Sequence, residues 1–525
     1  MRRLYMCGKH NSAISSTIQY LLVFLGFTLS YTFTYPQYDV LIFTRDFSGN
    51  FVNILREALY YGNGRFLGNV LGFYFSHHFT AAIFVTAFFL TVTVLLAVLL
   101  FFDGKGKYIF PVAILIAFPA VGIIREVYSM VAAFSNYAVP FVFALLSRLI
   151  VKKINVGGSK ALYIPLILSS VCVCLFSENT TVVMLCAAVT FLIIDLIDSK
   201  KLSIANAVNL ISTAVGALIM FLIPRLTHTS EKLSDYRGYV TEPQALIYNA
   251  LSALRSFAQL AAQYLLIYIL ISLLMLFVLR KAKTAKSVKI ILSVILIVFP
   301  IMSALALCFS DTANRCSIVF LVFEFVYMLS VLATAIISKQ KRIIIPTIAV
   351  ILLLGSAVAP ILIVNHRGDR TFFTTFAILM CYSLWLSAEL KPSFSFRRCI
   401  KFVSPIVYSV ISLTMLVLTA QNFASYAYRT DYIAQKLTET RNISAPYLAH
   451  NSLTTEKSYE QIDPCVFVGD IKPTLTVVPV DEWEKKSEYE RICKSSPVKA
   501  VKYAIESWQF KDPQYPVKRY NEYSK

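Results

Sequence analysis

Long apolar runs separated by short polar stretches form the dominant pattern of this chain up to residue 420. A helix needs roughly 20 apolar residues to cross the hydrocarbon core of a membrane, and runs of about that length recur here. We predict thirteen spans, near residues 17–34, 79–102, 108–124, 131–151, 161–177, 180–197, 203–224, 257–279, 290–309, 317–337, 343–364, 372–390 and 402–420. The pattern thus predicts an all-α polytopic membrane protein.

Composition agrees with this pattern. Apolar residues make up 57% of the 525 residues, and the mean hydropathy is +0.66. Both values lie far outside the range of soluble globular proteins, which excludes that class.

The distribution of basic residues predicts the orientation, because Lys and Arg in short loops stay on the cytoplasmic side. With a cytoplasmic N-terminus, the loops on that side hold 23 Lys or Arg against 4 acidic residues. The net charge of +20 therefore records membrane topology, whereas in a soluble protein it would suggest nucleic-acid binding. We predict a multi-pass protein of the inner or plasma membrane with an exterior C-terminus.

The composition turns polar after Gln421. We predict a membrane domain over 1–420 and a small extracytoplasmic α+β domain over 421–525, with extended runs at 465–468 and 475–478 and a helix near 481–493. Cys465 and Cys493 are its only cysteines. A disulfide and a pair of free buried thiols both remain open.

The first exterior loop, residues 35–78, carries the densest set of polar groups in the chain. Within it Phe51, Ile54, Leu55, Ala58 and Leu59 recur at helical spacing, which predicts a short helix in the membrane interface. A similar amphipathic stretch near 247–254 precedes the eighth span.

Polar residues of several other turns fall on the same predicted side, whereas the opposite loops are short basic connectors. Any active site is therefore expected on the exterior face. The residues on that face include Asp39, Asp46, Asn63, Arg65, Arg125, Glu126, Asn136, Tyr137, Glu178, Asn179, Asp311, Arg315, Arg367 and Asp369.

In layout the first 400 residues resemble the polytopic glycosyltransferases of the C-type superfamily (GT-C). Within that group the chain is similar to poorly characterised bacterial membrane proteins with an Asn-Gly-Arg motif in the first exterior loop. The resemblance rests on acidic residues in that loop, on the segment 60–69 (YYGNGRFLGN), on 135–140 (SNYAVP), on 177–180 (SENT) and on Arg367.

The resemblance implies an enzyme that moves a sugar from a polyprenyl-phosphate carrier to an acceptor glycan, lipid or protein on the exterior face. An acidic residue of the first loop is the family's usual general base, which implies a catalytic role for Asp46 or Asp39. The family often has adjacent acidic residues, whereas these two aspartates are seven positions apart. Which of them corresponds, and whether Mg²⁺ or Mn²⁺ takes part, stays open.

The residue chemistry is compatible with this implication. A carboxylate can take the proton of the acceptor hydroxyl, and the planar guanidinium groups of Arg65 and Arg367 suit phosphate oxygens. Glu178 and Asn179 suit contact with sugar hydroxyls or alignment of the base, and the other candidate substrate-binding residues are Asn63, Asn136 and Tyr137.

Several of these residues also have a purely structural interpretation. Asp46 beside Arg45 fits a solvated loop pair, and Arg65 fits the end of the interface helix. Glu178 fits a helix cap, and Asn136-Tyr137 fits an interfacial anchor.

Other functions remain open. A transporter or flippase of lipid-linked saccharides would need charged groups within the bundle, where Glu324 is the clear mid-span acid. We expect Glu324 to be protonated or bonded to a neighbouring helix. An O-antigen-type polymerase would use arginines such as Arg225, Arg237 and Arg255 in the 225–256 loop. A surface sensor is disfavoured because no cytoplasmic domain is evident.

Overall fold

The computed structural model consists mostly of α-helices that pack against one another. It describes residues 2–47, 49–61, 63–227, 243–308, 317–363, 368–390, 394–440, 442–446, 449, 474–478, 481, 483, 485–493 and 496–523. Among these residues ten helices are long and apolar enough to span a membrane, or twelve if each of two bent helix pairs counts as one span. The protein is therefore a multi-pass membrane protein.

The first part of the chain contains helices α1 to α9. Their bounds are α1 Arg2–Tyr31, α2 Tyr38–Asp46, α3 Phe51–Tyr60, α4 Phe66–His77, α5 Phe79–Phe102, α6 Ile109–Ala117, α7 Val121–Ile123 with a π-helical turn at Ile124–Tyr128, α8 Val131–Tyr137 and α9 Val139–Asn155. The segments Gly106–Ala117 and Val121–Tyr128 meet at 83°, so this span is broken near its middle.

The remaining helices and a small sheet follow. They are α10 Tyr163–Cys172, α11 Glu178–Ser199, α12 Ile204–Thr227, α13 Pro243–Ala261, α14 Leu265–Lys281, α15 Lys286–Cys308, α16 Ser317–Ile337, α17 Lys341–Val358, α18 Phe373–Leu390, α19 Phe394–Lys436, β1 Asn442–Pro446, β2 Thr474–Val478, α20 Lys486–Cys493, α21 Pro497–Glu506 and α22 Tyr515–Tyr523. Strands β1 and β2 pair in parallel, with Asn442 opposite Thr474.

The predicted first loop is mostly helical, with α2, α3 and α4 in succession. Helix α3 forms where the apolar periodicity predicts it, and Ile54 and Ala58 are its buried residues. Helix α4 has no such local signal, because Gly68 and Gly72 are poor helix formers. Gly68 allows close packing on α8, since a Cβ there would lie 2.1 Å from Asn136 Oδ1.

Helix α19 has 43 residues and crosses residue 421, the predicted domain boundary, without a break. At about 1.5 Å per residue it is roughly 65 Å long, about twice the thickness of the hydrocarbon core. Beyond that boundary Phe423 and Tyr426 are fully buried, and Tyr426 stacks on Tyr35 with ring centroids 4.5 Å apart. The helix therefore continues because its apolar face still packs against the end of α1 and the residues that follow it.

Polar contacts identify the two ends of the bundle. At one end, named the Glu178 end, α11 and α18 begin and Asn179 Nδ2 donates to the Thr371 carbonyl at 3.3 Å. At the other, named the basic end, Lys152 bonds Asp103 at 3.0 Å and Arg342 pairs with Glu389 at 2.8 Å.

Helix α14 runs in the same direction as α18. Tyr264, just before α14, hydrogen bonds through its hydroxyl to Thr375 Oγ1 near the start of α18, at 3.0 Å. Helix α14 therefore ends at the basic end.

Candidate functional site

The Asn63-Gly64-Arg65 segment forms a rigid turn at the Glu178 end. Asn63 is buried, and its Oδ1 accepts hydrogen bonds from the Arg65 amide at 2.9 Å and from Asn69 Nδ2 at 2.8 Å. Gly64 has φ +76°, and a Cβ there would lie 2.2 Å from the Met220 carbonyl oxygen. Only glycine accommodates both the positive φ and the lack of space for a Cβ. The turn therefore fixes the position of Arg65.

Arg65 forms a partly buried ion pair with Glu178. Its Nε and Nη2 both lie 2.8 Å from Glu178 Oε2, and the two side chains are 27% and 21% exposed. The guanidinium also lies over the Tyr137 ring, 5.9 Å from the centroid. The structure thus brings together three of the predicted substrate-binding residues.

The start of α11 explains the position of Glu178. Ser177 is the N-cap, and its Oγ accepts from the Thr180 amide at 3.3 Å. A carboxylate in the first turn of a helix interacts favourably with the helix dipole. Ser177, and not Glu178, is therefore the cap of this helix, and Glu178 in the first turn pairs with Arg65.

Asn136 carries an unsatisfied acceptor beside this pair. Its Nδ2 donates to the Ala132 carbonyl at 2.9 Å, whereas its buried Oδ1 has no hydrogen-bond partner among the described residues. A Cβ on Gly68 would lie 2.1 Å from that oxygen, so glycine is needed opposite it. A buried acceptor without a donor is costly, but this oxygen packs against Gly68 and does not line a cavity, so substrate contact by Asn136 stays a prediction.

A second charged cluster lies next to the first, and sequence reasoning assigns no role to its members. Arg125 forms an ion pair with Asp369 and lies 3.5 Å from Glu126 Oε1. Glu126 Oε2 accepts from the Arg370 amide at 3.1 Å. Arg125 and Glu126 are in the π-helical turn, an irregularity that is frequent at functional sites and that marks them as candidates.

Asn179 connects the two clusters. It follows Glu178 directly, and its side chain donates to the Thr371 carbonyl, two residues beyond Asp369. The arrangement therefore offers carboxylates, arginines and an amide within one polar region at the Glu178 end. Such a region can hold an anion and accept a proton.

A long cavity of about 880 Å³ lies between α9, α11, α17 and α18. Its walls are mostly apolar, with residues such as Leu145, Val183, Phe191 and Phe373. Tyr137 and Thr180, neighbours of the Arg65–Glu178 pair, line one end, and Asp195 lines the other. From Thr180 to Asp195 helix α11 rises about 22 Å, so the cavity extends through most of a membrane thickness.

The described residues that line the cavity include neither of the two predicted bases. Asp46 is exposed at the end of α2, and it is not among the described residues that line the cavity. Asp39 is in the first turn of α2, but its side chain is outside the described part of the structure, as is the whole of Arg367. The assignment of a first-loop aspartate as base stays a prediction.

Several further predictions fall outside the described residues. They concern Arg237, Asp311, Arg315, Cys465 and the side chains of Arg45, Arg225 and Cys493.

The described residues do not form a divalent-metal site. They contain no group of three or more His, Cys, Asp or Glu side chains arranged to hold a metal ion. Glu126 and Asp369, two carboxylates of the second cluster, both interact with Arg125, which already supplies a positive charge. These donors do not fit Mg²⁺ or Mn²⁺, which need several oxygen ligands free of a competing cation.

No family model, no curated protein and no solved structure matches this chain. The functional assignment consequently rests on the residues and their geometry.

Proposed function

We propose that this protein is a membrane glycosyltransferase that moves a sugar from a polyprenyl-phosphate carrier to an acceptor glycan, lipid or protein. The supporting observation is the apolar cavity that ends beside the Arg65–Glu178 pair. An apolar cavity suits a polyprenyl chain, and an arginine at its end suits the phosphate of that lipid.

We also propose a membrane topology of thirteen spans, one of which is the short apolar helix Lys160–Leu175. In this topology the N-terminus lies on the cytoplasmic side and the Glu178 end on the exterior side. The C-terminal segment, with its two strands and helices α20 to α22, would be a small α+β unit on the exterior face of the plasma or inner membrane.

In the proposed reaction the acceptor oxygen attacks the anomeric carbon, and the bond from that carbon to the phosphate oxygen breaks. A carboxylate takes the acceptor's proton, and Arg65 balances the charge of the departing lipid phosphate. Asp46 and Asp39 are the bases that the family resemblance favours. Glu126 and Asp369 are the alternatives that the geometry adds.

The test is transfer of radiolabelled sugar from polyprenyl-phosphate donors by the purified protein in nanodiscs. We expect the Asn or Gln variant of the true base, among Asp39, Asp46, Glu126 and Asp369, to lose at least about 100-fold in rate. Arg65→Gln should lose a similar factor, because an anion-stabilising donor is removed. Glu506→Gln, on an exposed carboxylate of α21, is the control. Full activity in all four carboxylate variants would refute base catalysis by these residues.

A flippase of lipid-linked saccharides is the second candidate, and one observation favours it. The same cavity that reaches Tyr137 also reaches charged residues at the basic end, among them Lys152 and Glu389. A flippase would move labelled lipid across proteoliposomes without any sugar transfer. Movement without transfer would replace the enzyme assignment.

A further inference from the structure

The basic end of the cavity carries an excess of positive charge. The charged residues among its lining are Arg148, Lys152, Lys341, Arg342, Asp195 and Glu389. With Asp103, which pairs with Lys152 at this end, four cations face three carboxylates, so the end keeps a net positive charge, while the walls beyond it are apolar. A ligand that fits must therefore combine an anionic head with an apolar chain.

Arg148 is a cation held in a fixed position at this end. Its Nη1 donates to Asn206 Oδ1 at 3.0 Å, and the guanidinium lies 3.8 Å from the centroid of the Phe191 ring. Asn206 in turn bonds Asp195. Because Arg148 donates to a neutral amide oxygen, it retains donors for an anion.

The first turn of α17 adds a second source of positive potential. Its N-cap, Gln340, makes no side-chain capping bond, and Lys341 and Arg342 occupy the first two helical positions. Arg342 pairs with Glu389 at 2.8 Å, yet its side chain is 70% exposed. Helix N-termini attract phosphate groups, and the two flanking cations reinforce that attraction.

We propose that the basic end of this cavity binds an anionic phospholipid. Its phosphate interacts with Arg148, Lys341 and the first turn of α17, and one acyl chain extends along the apolar wall toward Phe191. A free phosphate would leave the apolar wall without a partner, whereas basic pockets between membrane helices suit anionic lipid head groups. The site goes beyond the proposed transferase, whose donor phosphate is at the opposite end near Arg65.

Trp385 provides a direct probe, since it lines the cavity and stacks near Tyr382 with ring centroids 6.2 Å apart. The protein is placed in two series of nanodiscs, one with an increasing mole fraction of brominated phosphatidylglycerol and the other with an increasing mole fraction of brominated phosphatidylethanolamine. Bromine quenches nearby tryptophan fluorescence, and Trp385→Phe identifies the contribution of this residue. No transferase activity is needed for the measurement.

We expect Trp385 to be quenched at about tenfold lower mole fraction of the anionic lipid than of the zwitterionic one, a factor that corresponds to about 1.4 kcal/mol. The double variant Lys341→Gln/Arg342→Gln should abolish this preference. The matched control is Lys283→Gln/Lys286→Gln, two exposed lysines after α14 at the same end of the bundle. The control should behave as wild type.

Two results would overturn the proposal. Equal quenching by both lipids, or a preference that survives the Lys341/Arg342 variant, would show that this end does not select an anionic phospholipid.

Discussion

Arg65 and Glu178 are 113 residues apart in the chain, and their side chains meet at 2.8 Å at one end of the bundle. The pair joins the turn before α4 to the start of α11, so it fixes a loop against a membrane-spanning helix. It also lies beside Tyr137, where the long apolar cavity ends. This relationship is the basis of the proposed anion site.

A double-mutant cycle with Arg65→Gln and Glu178→Gln measures the coupling between the two residues. We expect about 1–3 kcal/mol in thermal unfolding in detergent, because charged hydrogen bonds are strong when partly buried. The matched pair Arg342–Glu389, in which Arg342 is 70% exposed, should couple by less than about 1 kcal/mol. Equal coupling in the two pairs would contradict a special role for the Arg65 pair.

Gly64→Ala should destabilise the protein strongly. The positive φ of +76° costs a non-glycine residue about 1–2 kcal/mol, and the new Cβ would also overlap the Met220 carbonyl. Gly157→Ala is the matched control, since Gly157 has φ +91° and an added Cβ there would have no neighbour within 4 Å. The thermal midpoint should fall at least about twice as far for Gly64→Ala as for Gly157→Ala. Equal shifts would mean that the Met220 contact relaxes without cost.

Glu324 is predicted to act as a hydrogen-bond acceptor. It is 6% exposed within α16, and the Tyr268 hydroxyl donates to its Oε1 at 2.8 Å on the neighbouring α14. Glu324→Gln keeps an acceptor oxygen and should change thermal stability little. Glu324→Leu leaves the buried hydroxyl without this partner and should cost about 1–3 kcal/mol. A large loss for the Gln variant would indicate that the carboxyl itself is required.

Lys511 should make stability depend on pH. Its Nζ is buried, donates to the Thr34 carbonyl at 2.7 Å and lies 4.6 Å from the centroid of the Trp508 ring. Burial lowers the pKa of Lys511 well below its ordinary value. At pH values between the lowered pKa of Lys511 in the folded protein and its unfolded pKa of about 10.4, the unfolded chain binds one proton more than the folded protein. The free energy of unfolding therefore rises with pH across this range.

The measurement is thermal unfolding across this alkaline range. Lys511→Met removes the titrating group and should flatten the rise, whereas Lys518→Met, on an exposed lysine of α22, should leave it unchanged. A rise of the same slope in Lys511→Met would assign the pH dependence to other groups.

The outline of the fold could be predicted from the sequence, because each apolar run carries its own signal. Span positions such as 79–102 agree with α5, and the periodicity of Phe51 to Leu59 agrees with α3. Helix α4 and the length of α19 could not be predicted in this way. Both depend on partners that are distant in the chain: α8 for Gly68, and Tyr35 for Tyr426.

By itself the sequence determined that the chain enters a membrane many times, since hydrophobic length is a local property. It also indicated Asn63, Arg65 and Glu178 as candidate substrate-binding residues in a chain of mostly apolar segments. Only the tertiary structure decided that Arg65 contacts Glu178, that Glu126 and Asp369 share Arg125, and that one apolar cavity connects this region with the basic end. Contacts between residues more than a hundred positions apart follow from how the helices pack, and no local pattern encodes that packing.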